Sequence, residues 1–152
     1  MAYATILAKI KTYMLEISNI GNVHDYVRWH KDWPTMLTLF KTTTPSTQIR
    51  FWDISRVKTP EENKVSKENA RTHTFRLRGF MSLDDSAATE KTFQSLIEDV
   101  CTKFRNKPTF EGAAVNVSPI QVETVSHAMV GEVLCHSVEC TITVEEAITW
   151  TE

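Results

Sequence analysis

HTFRLRGFMSLDDSAATEKTFQSLIEDVCTKF, residues 73–104, changes its periodicity once, and that change decides the fold. Thr72 to Met81 alternates like a strand, with Phe75 and Leu77 on one face and Arg76 and Arg78 on the other. Asp84, Asp85 and Ser86 follow, supplying capping oxygens and negative charge for a helix start. The apolar spacing then becomes three and four. Phe93, Leu96, Ile97, Val100, Cys101 and Phe104 form one stripe on a helix that runs to about residue 105. A strand with one apolar face, followed at once by an amphipathic helix, calls for a sheet covered by helices.

Working outward, Tyr3, Ile6, Leu7, Ile10, Tyr13, Met14 and Ile17 give a second helical stripe, ended by the Ser18–Asn22 stretch with Gly21. Residues 23–41 are mixed, and Pro34 is expected to break any helical face that Tyr26, Val27 and Trp33 begin. Gln48–Val57 reads as a strand paired antiparallel with 72–81. The intervening 58–71, KTPEENKVSKENAR, is nearly all polar and is expected as a mobile solvated loop. Ile120–Val125 and Val133–Val144 complete the strands, with a turn near Met129–Gly131. In the last strand Leu134, His136, Val138, Cys140, Ile142 and Val144 share a face. The expected fold is α+β: one domain over 1–152, a mostly antiparallel sheet with two amphipathic helices packed on one face.

The totals narrow the function. At 152 residues, with 41% apolar and 24% charged, the composition is that of an ordinary globular domain. A net charge of −2 gives no global attraction to nucleic acid or anionic membrane. Lys9 and Lys11 cut the apolar run at the start, which argues against a signal peptide. No stretch reaches the roughly 18–20 apolar residues of a membrane span. Three Cys in apolar contexts suit buried free thiols in a reducing compartment, a cytoplasm.

VHDYVRWHKDWPT, residues 23–35, is the densest collection of chemical side chains. Its spacings argue against a metal. On a helix His24 and His30 diverge by about 240°; in a strand they stand about 20 Å apart. No HExxH, CxxC or phosphate-binding Gly-rich loop occurs. Cys135 and His136 point to opposite faces of a strand, and Cys140 lies about 13 Å from His136 along it. His136 is expected to be a buried residue with a polar partner on the facing helix. No catalytic residue, cofactor or metal site is therefore expected, and the chain reads as a non-enzyme. What remains is binding chemistry: Asp25, Arg28, Trp29, Trp33, Arg76, Arg78 and Trp150 are the interface candidates, being the aromatic and arginine types that anchor contacts.

GNVHDYVRWHKDWPTMLTLF, IRFWDISR, the 73–104 block and PIQVETV…GEVLCHSVECTITVEE together resemble small structural proteins of long-tailed bacteriophages and prophages. The likeness is closest to the tail-terminator (tail-completion) and neck proteins. It covers most of the chain and rests on layout and local phrasing. It implies an α+β subunit of a hexameric ring that caps the tail tube and meets the head connector. DNA would pass through the central hole unread, and the protein would belong to the virion, assembled in the bacterial cytoplasm. A tail-tube or other injection-machine component is the first alternative. The second is a small-molecule-binding or enzymatic α+β domain, for which His73, His136 and Arg76 are the nominees.

Overall fold

A computed structural model describes residues 2–28, 32–41 and 48–151; the side chains of residues 2, 33 and 36 are not among them. The elements are α1 (Ala2–Leu15), β1 (Asn22–His24), α2 (Trp33–Phe40), β2 (Arg50–Lys58), β3 (Glu61–Val65), β4 (Glu68–Ser82), α3 (Thr89–Arg105), β5 (Asn116–Val117), β6 (Gln121–Val130) and β7 (Val133–Thr149). The fold is α+β. Among the described residues seven strands form one sheet. β4 lies at its centre, paired along its whole length with β7, from Glu68 opposite Thr149 to Ser82 opposite Cys135. β2 and β3 share the other side of β4, and β5 and β6 share the far side of β7. Every pairing is antiparallel except β1 with β2.

The two expected helices cover one face. Ile6, Ile10 and Met14 of α1 and Phe93, Leu96 and Val100 of α3 pack over Ile54, Leu77, Val138 and Ile142 in a single core. Each such side chain contributes about 1.5–3 kcal/mol by leaving water. Trp52, wholly buried, lies beneath the helices and directly opposite Gly79. A Cβ at Gly79 would stand 2.7 Å from the indole ring. Gly79 is therefore the only residue type that lets the indole lie against the backbone. Gly79→Ala is expected to cost about 1–3 kcal/mol through overpacking, seen as a lower urea midpoint with an unchanged slope.

Three expectations are corrected. Residues 58–71 are not a loop: they form β3, a tight turn with Lys67 at φ +65°, and the start of β4. Their polarity arises because β3 is exposed on both faces, so no apolar alternation is needed. Pro34 does not break a helix; it sits in the first turn of α2 behind the capping carboxylate of Asp32, where its missing N–H costs nothing. Asp84 caps a short 3-10 turn over 85–87, and α3 starts after Ala88, left-handed at φ +52°, without a side-chain cap.

α2 adds a second, smaller core on the sheet's other face. Phe40 and Leu37 of α2 pack with Ile49, Phe51, Phe80 and Cys135. Strict alternation explains the split: Trp52 and Ile54 face α1 and α3, while Ile49 and Phe51 face α2.

Candidate functional site

The second core ends in an open pocket. Phe40 and Phe51 stack with centroids 3.9 Å apart, and Phe51 and Phe80 stack at 4.8 Å. The pairing of β2 with β4 sets Phe51 opposite Phe80 and, two residues on, Asp53 opposite Arg78. Arg78 donates two hydrogen bonds to Asp53, with Nε 2.9 Å from Oδ1 and Nη2 on Oδ2. That fork geometry is the strong form of an ion pair, and it holds the Arg78 guanidinium above its ordinary pKa. Phe80, Asp53, Arg78, Met129 and Arg28 enclose about 160 Å³ with the stacked rings. An apolar cavity of about 150 Å³ takes up benzene, so this pocket has room for one aromatic ring.

Arg28 stands at its rim, 5.3 Å from the centroid of the Tyr26 ring. Among the described residues no carboxylate lies within ion-pair reach of it. Of the other interface candidates, Asp25 makes an exposed ion pair with Lys11 at 3.6 Å, on the helix side. Arg76 lies between Ser55 and Thr141 on the face away from α1 and α3, its Nε buried with no hydrogen-bond partner among the described residues. Trp150 is 39% exposed at the far end of β7, its backbone N–H donating to Lys67 O at 3.1 Å. Trp29 lies outside the described residues, and so does the side chain of Trp33. The sheet thus brings Arg28 and Arg78 together at one pocket and leaves Asp25, Arg76 and Trp150 apart. Sequence reading missed Phe51, Asp53, Phe80 and Met129. Their signal was cross-strand register, which alternation alone does not set.

The histidines are tied into the fold. His136 Nε2 lies 2.8 Å from Thr89 Oγ1, at the start of α3, as a buried strand histidine facing a helix requires. Its ring stacks on Phe93 and stands 5.5 Å from His127. These two His, with Leu83, Asp85, Thr89 and Lys91, line an open cleft of about 300 Å³. Thr89 Oγ1 also accepts from the Asp84 backbone N–H and lies 3.1 Å from Asp84 O, so its hydroxyl is fully engaged. His73 is wholly buried: Nε2 donates to Glu146 Oε1 at 2.9 Å, and Nδ1 lies 3.1 Å from Thr59 Oγ1. Arg71 reaches the same Glu146 oxygen at 3.5 Å and Glu61 at 3.6 Å, so the network braces the base of the β3–β4 hairpin against β7. Burial pushes the thiols up, Cys135 to about 11 and Cys140 to about 12, which keeps them protonated and unreactive. Among the described residues no group of three or more His, Cys, Asp or Glu is placed to hold a metal ion.

Burial, reinforced by His127, lowers the pKa of His136 below its ordinary 6.5, with Glu90 opposing weakly. The unfolded chain then binds the proton more readily than the folded one. The stabilising contribution is complete above about pH 6.5 and is lost as pH falls through the lowered folded value. His24, lowered by its own burial, adds to the same trend. Wild type is expected to lose stability between pH 7 and 5 more steeply than His136→Asn, read from urea midpoints at each pH.

No protein-family model matches this chain, and a search of the curated proteins gives no match. Among the described residues no helix is long and apolar enough to cross a membrane.

Proposed function

We propose that this chain is a structural subunit of a long-tailed phage or prophage virion, a tail-terminator or neck ring protein. It caps the tail tube and joins it to the head connector, and DNA passes through the ring's hole. The observation that carries the reading is the kind of surface left uncovered. Arg28, the aromatic pocket and Trp150 offer contact chemistry, while His73, His136 and Thr89 are spent on internal bonds. The edge strand β6 adds a second contact surface, exposed from Gln121 to His127. Val122, Val125 and Met129 stand out from it at 41, 43 and 61% exposure, and it carries no Pro or Lys to discourage pairing. The likeness of the 73–104 block and the closing strand to tail-terminator and neck proteins supplies the biological setting. A net charge of −2 suits a channel that must let phosphates slide.

Deleting the gene from its phage is expected to leave filled heads and separate tails in electron micrographs. Normally joined virions without the protein would end the proposal. The tail-tube alternative predicts instead that the purified protein polymerises into long tubes.

A further inference from the structure

We propose that copies of this chain associate head to tail by seating Trp150 of one copy in the Phe51–Phe80 pocket of the next. The inference deepens the ring reading, and rests on it only for closure of the contact into a ring. The two halves of the contact lie at opposite ends of one sheet. The pocket sits where β4 reaches Phe80 and β7 begins. Trp150 sits where β4 starts, bonded to Lys67 O. Thirteen residues of strand separate them, about 40 Å at the strand rise, so Trp150 cannot reach the pocket of its own chain. Complementary patches at different places on one subunit make a heterologous contact, which generates rings or filaments.

Size, polarity and charge agree. The pocket's 160 Å³ and its floor of stacked rings accept the six-membered ring of an indole, leaving its pyrrole edge at the open rim. Trp150, at 39% exposure, is the most exposed Trp side chain among the described residues, since Trp52 is wholly buried. A tryptophan entering a pocket with its rim closed around it is the usual form of a hot spot. Glu68 lies beside Trp150 at the tip, opposite Thr149 in register, and makes no ion pair among the described residues. Arg28 at the pocket rim lies over the Tyr26 ring and makes no ion pair among the described residues, so the Glu68 carboxylate of one copy has a guanidinium to meet at the pocket of the next. The tip is presented stiffly: β3, the start of β4 and the end of β7 form a three-stranded extension, and the buried His73–Glu146–Arg71 network fixes its base.

Sedimentation of the full-length protein across a concentration series tests this, using wild type, Trp150→Ala, Arg28→Glu, Glu68→Arg and the last two combined in one chain. Wild type is expected to self-associate. Trp150→Ala should weaken association roughly a hundredfold, and each charge reversal roughly tenfold. The double reversal should recover most of that loss. Circular dichroism and urea midpoints should be unchanged, because Arg28 and Glu68 are half-buried, Trp150 is exposed, and none of the three belongs to either core. Association of Trp150→Ala and Arg28→Glu equal to wild type overturns the contact while leaving a ring built through another surface, such as β6. A wild type that stays monomeric, or a pocket that binds a free indole carboxylate without any association, also overturns it. Joined virions in the gene deletion would instead remove the ring reading and leave this contact standing.

Discussion

Trp52→Ala is expected to destabilise the domain by about 3–5 kcal/mol, the range for removing a large buried aromatic. Domains of this size hold only about 5–15 kcal/mol in total, so the change consumes a large fraction of what keeps the chain folded. The indole is wholly buried at the meeting of α1, α3 and the sheet, and Gly79 leaves no side chain to collapse into the space. The cavity would therefore persist, and cavity volume sets the cost. A urea titration followed by far-ultraviolet circular dichroism measures it. A loss under 1 kcal/mol would mean that the helices close over the gap, and that Trp52 is not the keystone of this core.

Arg78→Leu is expected to have the next largest effect. It strands the Asp53 carboxylate, 3% exposed, without its guanidinium. Removing one partner of a buried pair costs about 3–5 kcal/mol; the pocket beside it gives water some access and places this case toward the lower end. Replacing both members, Asp53→Leu with Arg78→Leu, should recover much of the loss, because no uncompensated charge remains. If Arg78→Leu leaves the urea midpoint unchanged but abolishes association, the arginine acts at the interface and not within the fold.

These two residues mark the limit of what sequence reading reaches. Phe75, Leu77, Arg76 and Arg78 alternate as read, and the 93–104 stripe is the buried face of α3, apart from Cys101, which stays half-exposed. His136 finds its partner on the facing helix, in Thr89. Period alone fixes such features, because it says which side of an element is apolar. It does not say which residue of the next strand stands opposite. Trp52 against Gly79 and Asp53 against Arg78 are facts of register, set by the whole sheet. The hairpin at 58–71 was hidden for a related reason: a strand exposed on both faces has no apolar period. β1 was hidden because three residues are too few to show one. In the 23–35 stretch only part of the chemistry is placed. His24 Nε2 lies 2.9 Å from Leu39 O, Asp32 caps α2, and Arg28 guards the pocket. The segment that looks most like a catalytic site is thus divided between holding α2 and rimming the aromatic pocket.

The mass of the assembled protein tests the central claim most directly. Multi-angle light scattering on concentrated protein, with negative-stain micrographs of the same sample, is expected to give six times the 17.4 kDa subunit and closed rings with a central hole. A 17.4 kDa species at every concentration, with no rings in the micrographs, would contradict it.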